Sequence, residues 1–497
     1  MSDKTNIAVG SKVITQKLNA EESKQIMNNF KQKALISALA GAGALAMAGA
    51  ANAVYVNQDG LGQALVYPYY TVRGGNVTLI SVVNTTTQGK AVKVRILEGK
   101  NSVEVLDFNL FLSPKDVWNA SITPTAAGAT LATVDKSCTN PKIPATGAEF
   151  RNTVYVADSV NGLDRTREGY VEMLEMATIP IATTLGTAIT HVSGVPPCAT
   201  AQSKVGDAAA TVATGLLPPS GGLFGNGTIL NVLGGASTGY EATAFDGWST
   251  QRGVITASSS RFPALGSGNV TFSVVNNAGN VYIANWSRSI DAVSATIMHS
   301  AVYGEYAYTT DAVIGTDWIV TMPTKNAYVN FSPLTLFQNP WDPTVSRSCD
   351  DVGLIGYDRE EVTSSTPDDF SPPPPNGRNS LCFEANVVSF GGTSVSGSTN
   401  VANINPIQNG GLPVATAGRE GGWLELSFTA ATALLASSSG TITSVSAAGT
   451  PFITSGAQTY IGLPVIGFVL SSASFKTGNP QQNYSNSYNL RFQRTIN

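Results

Sequence analysis

Hydrophobic and polar residues alternate along much of the chain, as they do in strands that bury one face. In residues 91–97 the valines and the isoleucine face one way, while Lys93 and Arg95 face the other. Val103–Leu112 alternates in the same manner. Because successive side chains of a strand point to opposite faces of a sheet, both segments are predicted to be half-buried antiparallel strands.

A third strand, Thr78–Val83, precedes these two and is joined to residues 91–97 by the turn-like sequence Asn84–Gly89. This arrangement predicts an antiparallel hairpin. Three strands that share one apolar face are not stable alone and must pack against a second sheet. We therefore expect an immunoglobulin-like β-sandwich in residues 54–200, with Trp118 in its core.

Later segments show the same strand-forming pattern towards the end of the chain. They are Thr153–Val156, Tyr170–Met176, Val270–Val275, Val281–Trp286, Trp318–Met322, Phe383–Phe390 and Trp423–Phe428. Helical periodicity is almost absent after residue 53, so helices should be few and short. The chain is therefore expected to be all-β, with a larger β-rich domain in residues 201–497 behind the N-terminal sandwich.

A stretch near the start departs from this pattern and reads as a secretory signal peptide. A basic region begins at Met27, an apolar run covers Ala34–Ala50, and a small-residue cleavage site ends at Ala53. The polar residues 1–26 leave two interpretations, an extended signal region or a true start at Met27, and we favour the second. The protein is therefore predicted to be secreted or displayed on the cell surface. No later segment reaches the roughly eighteen consecutive apolar residues of a spanning helix.

The mature chain carries a low and mildly acidic charge. Residues 1–53 hold six lysines and three acids, which leaves 23 basic and 30 acidic groups and a net charge of −7. Negative charge repels phosphate backbones, so nucleic-acid binding is not expected. Only 12% of all residues are charged, against roughly a quarter in ordinary soluble proteins. Such a surface favours close contact between molecules, because little charge must be desolvated.

Four cysteines, Cys138, Cys198, Cys349 and Cys382, follow the signal region. Their spacing matches no zinc pattern and no haem-attachment site, and an exported chain favours disulfides. Of the three possible connectivities, we expect Cys138–Cys198 and Cys349–Cys382, which join neighbours in sequence.

The predicted loop between Cys349 and Cys382 concentrates acidic residues and holds a proline run at 372–375. Its candidate oxygen ligands for Ca²⁺ are Asp350, Asp351, Asp358, Glu360 and Glu361. The loop lacks the spacing of an EF-hand or a nonapeptide repeat, and clusters of charge commonly do no more than solvate a loop. No other cofactor is expected.

Signatures of catalysis are sparse. Gly235–Gly239 matches the pattern G-x-S-x-G with Ser237 as the nucleophile, but this motif needs a following helix and a histidine. Its surroundings are rich in glycine and serine, and of the two histidines, His191 and His299, only His299 lies downstream. The protein is therefore not expected to be an enzyme.

A set of further segments extends over nearly the whole mature chain: Leu65–Tyr70, Val105–Leu110, Leu112–Trp118, Gly221–Gly225, Tyr357–Glu361, Phe370–Pro375 and Gly462–Phe468. In these segments the chain resembles a group of exported, β-rich cell-surface proteins of proteobacteria. The resemblance implies export from a Gram-negative cell. It implies no activity and no site residues.

Two hypotheses for function follow. The first is a non-enzymatic structural protein of the cell surface or extracellular matrix. It forms homo-oligomers or fibres when Val54–Val56, on the leash Asn57–Gly62, completes a neighbour's open sheet. Alternatively, Val54–Val56 is an edge strand of its own domain.

The second hypothesis is a monomeric module that binds glycans or other cell-surface ligands through exposed aromatic side chains. The candidate side chains for this role are Tyr67, Tyr69, Tyr70, Trp248, Trp286 and Trp423.

Overall fold

The computed structural model describes most of the chain after the predicted signal peptide. The described residues are 52–153, 162–203, 215–251, 253–309, 313–330, 336–361, 379–390, 394–402, 419–428, 433–436, 438–445, 451–455, 458–475 and 482–497. The predicted signal up to residue 51, most of the predicted strand Thr153–Val156 and the proline run at 372–375 lie outside them.

Strands dominate the described residues, at 51% against 9% for helices, so the predicted all-β class is confirmed. The strands of the first half are β1 Tyr55–Val56, β2 Ala64–Thr71, β3 Asn76–Asn84, β4 Gly89–Glu98, β5 Glu104–Leu112, β6 Val117–Pro124, β7 Ala129–Ala132, β8 Cys138–Asn140, β9 Ala148–Glu149, β10 Glu168–Ile179, β11 Leu223–Asn231, β12 Ala236–Glu241 and β13 Thr243–Asp246.

The second half continues the same architecture. Its strands are β14 Phe272–Asn277, β15 Asn280–Asn285, β16 Met298–His299, β17 Ala301–Thr309, β18 Ile314–Thr321, β19 Asp350–Asp351, β20 Gly353–Asp358, β21 Ser380–Leu381, β22 Ala385–Phe390, β23 Arg419–Ser427, β24 Ala433–Leu435, β25 Ser438–Val445, β26 Pro451–Ser455, β27 Thr459–Ile461, β28 Leu463–Pro464, β29 Ile466–Phe475, β30 Gln482–Asn489, β31 Arg491–Gln493 and β32 Thr495–Ile496.

Helices in the described residues are short, as the missing helical periodicity predicts. The α-helices are α1 Thr184–Ile189, α2 Ala199–Ser203, α3 Ser289–Thr296 and α4 Asn326–Val329, and two 3₁₀ turns cover Leu163–Arg167 and Leu265–Ser267. None of the described helices has the length and apolar character that crossing a bilayer requires.

Two large sheets face each other and form the first sandwich. Sheet 1 has seven strands in the order β1-β13-β2-β10-β4-β5-β8, and sheet 2 has six in the order β12-β11-β3-β6-β7-β9. Trp118 of sheet 2 is fully buried between them, as predicted, with its ring 5.8 Å from that of Phe108 in sheet 1. Strands β11, β12 and β13 all follow residue 200, so both sheets continue past the predicted domain boundary.

The predicted hairpin of Thr78–Val83 with residues 91–97 is wrong. Strand β3 pairs with β6 and β11 in sheet 2, whereas β4 pairs with β5 and β10 in sheet 1. The connection between β3 and β4 is an arch from one sheet to the other. The Asn84 side chain braces this arch by donating to the carbonyls of Gln88 and Ser113, each at 2.8 Å.

The predicted solvent-facing side of β4 is also buried. The Lys93 ammonium pairs with Asp107 and donates to the Ser258 carbonyl at 2.8 Å, and Arg95 binds Glu172 at 2.5 Å. The outer face of sheet 1 packs against α1 and the segment around Ile255, which bury it from solvent. Ion pairs thus accommodate the polar positions of an alternating strand on a buried face.

A second sandwich consists of two four-stranded sheets: sheet 3, ordered β22-β18-β29-β30, and sheet 4, ordered β20-β23-β17-β31. Trp318 of sheet 3 is fully buried between them, and its indole N–H donates to the Glu305 carbonyl at 2.9 Å. Strand β17 passes so close that a Cβ on Gly304 would lie 2.7 Å from the indole ring. Only glycine permits this approach.

Sheet 3 is buried on both faces because its other face closes one side of the first sandwich. The rings of Phe468 and Tyr240 stack across this junction with centroids 4.6 Å apart. The Thr321 hydroxyl donates to the Pro68 carbonyl at 2.6 Å. The two sandwiches therefore share apolar cores rather than meeting at a solvated linker.

A serine-rich segment, residues 394–400, fastens the junction through two buried carboxylates. Asp317 of sheet 3 accepts from the backbone N–H of Ser396 at 2.8 Å, and Glu168 of sheet 1 accepts from the Ser398 hydroxyl at 2.5 Å. Both acids are almost completely buried. Each carboxylate thus receives charge-assisted hydrogen bonds from the same short segment.

The first strand and the residue before it, Val54–Val56, pair with other strands of the same molecule. Val54 is fully buried, donates from its N–H to the Phe272 carbonyl at 2.8 Å and accepts from the Val274 N–H at 2.9 Å. Residues Tyr55–Val56 pair with β13 at the edge of sheet 1. This placement is the edge-strand alternative, and a donation of Val54–Val56 to a neighbour would empty a buried site.

Cys138 and Cys198 are joined with an S–S distance of 2.15 Å, and Cys349 and Cys382 with one of 2.07 Å. Both predicted pairs are thus confirmed. The first ties β8 to the start of α2, and the second encloses the paired strands β19 and β21.

Candidate functional site

The aromatic residues proposed from sequence separate into a buried set and one exposed member. Tyr67, Tyr69, Tyr70, Trp248 and Trp286 are at most 3% exposed and belong to the cores. Trp423 is 41% exposed and lies on the outer face of sheet 4. The candidate aromatic binding site is therefore the outer face of sheet 4.

Trp423 belongs to a row of three rings across neighbouring strands of sheet 4. It pairs directly with Tyr357 on β20, and Tyr303 on β17 lies diagonally across on the other side. The ring centroids are 4.7 Å apart for Tyr357 and Trp423, with an interplanar angle of 15°. The ring centroids of Tyr303 and Trp423 are 6.3 Å apart, and the planes of these two rings are tilted by 38°.

The Tyr357 and Trp423 rings face each other and do not form a flat platform. Parallel rings whose centroids are only 4.7 Å apart must stack. Their spacing matches the roughly 4.8 Å between hydrogen-bonded strands. The rings therefore stand on the sheet as an aromatic ladder with one ring per strand, and Tyr357 is its last ring at the β20 edge.

The edge of β20 is open in the described part of the chain. There, the backbone of Gly353–Tyr357 makes hydrogen bonds with β23 on one side and with no described group on the other. Ile355, beside Tyr357 on the same outer face, is 46% exposed. An unpaired row of N–H and C=O groups is a template for another strand.

Three other sheet edges, those of β12, β22 and β14, are bonded to further segments of the described chain. The free carbonyls of β12 accept from side chains of β30, as in the 2.7 Å bond from the Ser485 hydroxyl to Ser237. The edge of β22 is bonded through Val387 to residues 400 and 402, and β14 is bonded to Val54. The outer backbone edge of β20 has no comparable bonds to described residues.

Acidic groups flank the ladder. Glu425 pairs with Tyr303, and Glu305 pairs with Trp423, both on the outer face. Partial burial and the neighbouring Glu425 carboxylate raise the pKa of Tyr303. The Arg359 guanidinium lies over Gly421, where it would contact an added Cβ at 2.7 Å. Charge thus surrounds the ladder, whereas none is present within Gly353–Tyr357.

The proposed Ca²⁺ ligands do not converge. Asp350 is fully buried, pairs with Lys325 at 2.7 Å and accepts from the Gln338 N–H. Asp358 accepts from the Glu360 N–H at 3.0 Å within an exposed turn that continues to Glu361. Asp351 pairs with Ser380 in the two-stranded ribbon β19–β21. The described residues contain no group of three or more potential metal ligands, and the calcium site stays a prediction.

The residues considered for hydrolysis are also separate. Ser237 lies in strand β12, with β13 after it rather than a helix, and His299 is buried against Phe492 in the second half. His191 lies 3.1 Å from the Ser113 hydroxyl, but Asp116 approaches the same ring nitrogen. A serine-hydrolase triad needs its serine and its acid on opposite nitrogens of the imidazole.

Comparison of the chain with protein-family models, with curated proteins and with solved structures finds no match. The candidate site therefore depends on geometry alone. Sequence reasoning proposed Trp423 but missed its neighbours Tyr303 and Tyr357. The signal for Tyr303 is the alternation of Val302–Tyr308, where tyrosine and glutamate occupy the outer positions.

Proposed function

We propose that the protein is a non-enzymatic structural protein of the cell surface or extracellular matrix, and that it associates with a second copy by strand addition at β20. The open edge of Gly353–Tyr357, where both the hydrogen-bond ladder and the aromatic ladder end, carries the proposal. Two cysteine pairs at disulfide distance and the absence of a spanning helix among the described residues are compatible with an extracellular location.

The composition of β20 favours association. Native edge strands are commonly protected by lysine, proline, a bulge or a covering segment. Gly353–Tyr357 contains neither charge nor proline, and its ladder with β23 runs without a bulge. A partner strand would meet little desolvation cost there, because no charged group has to leave water.

A second copy is the partner that this edge fits. An antiparallel strand edge is complementary to itself across a two-fold axis, so two β20 strands can pair and join two copies of sheet 4. The added strand also brings its own Tyr357 to the outer face beyond the last ring of the ladder. The N-terminal strand is less suited as the donor, since Val54 is buried in its own chain.

Replacing Ile355 by lysine tests this assembly. The side chain is 46% exposed, so the fold should persist, while like charges meet across the paired edges. We expect the dimer dissociation constant, measured by sedimentation equilibrium, to rise at least about tenfold, which corresponds to about 1.4 kcal/mol.

Leu79→Lys is the matched control for this change. Leu79 is 40% exposed but lies on the outer face of β3, which is paired at this residue with β11 on one side and β6 on the other. The dissociation constant of this control variant should equal that of the wild type. A wild-type protein that remains monomeric at about 100 μM, roughly the range of weak interfaces, contradicts the proposal, as does unchanged association of Ile355→Lys.

A second candidate function is glycan binding, favoured by the 41% exposure of Trp423 between the carboxylates of Glu305 and Glu425. Sugar sites commonly combine an aromatic surface with hydrogen-bonding groups. This candidate predicts that Trp423→Ala abolishes retention on a polysaccharide array while Trp423→Phe keeps it. Retention by a monomeric wild type would favour this candidate over strand addition, and no retention by the wild type would remove it.

A further inference from the structure

The tip of the β4–β5 hairpin, residues Gly99–Val103, inserts from the first sandwich into the second. The Ala385 N–H donates to the Gly99 carbonyl at 2.9 Å. The Asn326 amide donates to the Asn101 carbonyl at 2.5 Å. Both bonds cross the junction, so the docked position of this tip fixes how the two sandwiches meet.

The Glu98 carboxylate fixes the conformation of the tip through hydrogen bonds to its backbone. Its carboxylate accepts from the backbone N–H groups of Lys100, Asn101 and Val103 at 2.8–3.1 Å. Arg165 binds the same carboxylate through two nitrogens, at 2.7 and 2.9 Å, and both side chains are buried. This bidentate pair is complete in itself.

A second complete pair lies across the junction. Lys325 binds Asp350 at 2.7 Å and also donates to the Ser348 carbonyl at 2.6 Å. Both side chains are at most 1% exposed. The two acids Glu98 and Asp350 are therefore each balanced by one base.

Glu384 is one further buried acid at this junction, and no base is assigned to it. It is fully buried, and neither carboxylate oxygen has a hydrogen-bond partner among the described residues. The charged groups that act on it are Lys325, which favours its ionised form, and Glu98, which opposes it. The Ser102 hydroxyl and the Asn326 N–H also face it, and the Tyr170 phenol lies within its electrostatic reach.

We propose that Glu384 acts as a proton-controlled latch between the two sandwiches, closed when its carboxyl is neutral and weakened when it is ionised. With the proton in place, the charges of the Glu98–Arg165 and Lys325–Asp350 pairs cancel and Glu384 adds none. Without it, a further negative charge is buried beside Glu98, and among the described residues Lys325, the base that acts on it, is already bound to Asp350.

The pH range follows from the burial of this group. Desolvation raises the pKa of Glu384 from 4.5 to about 8. The folded protein therefore keeps a proton that the unfolded chain releases near pH 4.5, so the contribution of this group to folding stability declines as the pH rises from about 4.5 to about 8. Above that range the folded state holds the charged form.

Hydrogen exchange at the Ala385 amide reports on the latch, because this N–H is bonded to Gly99 across the junction. Between pH 6 and pH 9, after correction for the intrinsic exchange rate, we expect its protection in the wild type to fall at least about tenfold. In Glu384→Gln, which cannot ionise, the change should be less than about twofold. The exposed Glu241→Gln serves as the control and should behave as the wild type does.

Equal loss of protection in wild type and Glu384→Gln, or no loss in the wild type, overturns the proposal. Difference infrared spectroscopy of the wild type keeps it testable if Glu384→Gln fails to fold. A protonated-carboxyl band that persists at pH 6 and disappears by pH 9 supports the latch, while the absence of such a band at pH 6 refutes it.

Discussion

Replacing Lys90 by methionine is expected to lower the free energy of unfolding by about 3–5 kcal/mol, the usual cost of leaving one member of a buried ion pair uncompensated. Lys90 lies in β4, in the middle of sheet 1, and binds Glu175 of the neighbouring β10 at 2.7 Å. Both side chains are 0% exposed. Water therefore cannot compensate the remaining carboxylate.

The surroundings of this pair explain why the effect should be large. The Lys90 ammonium also donates to the Ser220 hydroxyl at 2.7 Å. Glu175 accepts from the Thr178 hydroxyl and from the backbone N–H groups of Ser220 and Gly221. The pair thus binds residues 220–221 to sheet 1, and the loss of Lys90 disturbs this connection as well as the charge balance.

A double-mutant cycle separates charge from packing. In Lys90→Met/Glu175→Gln no unpaired charge is left, and the single glutamine oxygen can still accept from the Ser220 N–H, which binds Oε1 of Glu175. We expect the double variant to regain at least half of the stability lost by Lys90→Met, as measured by urea denaturation. A double variant less stable than Lys90→Met would show that the charge imbalance is not the cause.

Replacing Cys138 and Cys198 together by serine is expected to lower the unfolding free energy by about 4 kcal/mol, because the reduced chain regains the entropy of a long open loop. The two cysteines are separated by 60 residues, against 33 for Cys349 and Cys382. Cys138 is 1% exposed beside α1, so loss of the bond also frees a packed segment.

Guanidinium unfolding of oxidised wild type, the double serine variant and reduced wild type checks this value. The reduced wild type should be less stable than the double serine variant by about 3–4 kcal/mol, because reduction also opens the Cys349–Cys382 bond. Cys349→Ser/Cys382→Ser, which opens a shorter loop, should lose slightly less stability. A Cys138→Ser/Cys198→Ser protein as stable as the oxidised wild type contradicts the expectation.

Local periodicity was sufficient to find most of the strands. The segments around Val92, Val270, Trp318 and Trp423 are all strands of the structure, since alternation reflects the pleat itself. The disulfides were predictable for a related reason, because neighbouring cysteines close the loops with the smallest entropy cost. Both predictions use information that can be read along the sequence: the alternation of residues within a strand and the order of the cysteines.

Strand partners were less predictable than strands. β3 and β4 looked like a hairpin, yet they lie in opposite sheets. A four-residue arch and a hairpin loop can have the same composition, and only the packing of the two sheets distinguishes them. The open edge of β20 was invisible for the same reason, because an edge is defined by the strands that are absent beside it.

Alternation along the chain determined the all-β class and the small share of helix, because alternation depends on residues close in sequence. The order of the four cysteines along the chain predicted the two pairs. Tertiary structure decided which polar residues are buried. Lys93 and Glu384 look like surface residues in sequence, but segments far away in the chain cover them. Exposure depends on the sum of distant contacts, and so only the folded molecule separates Trp423 from the buried aromatic residues.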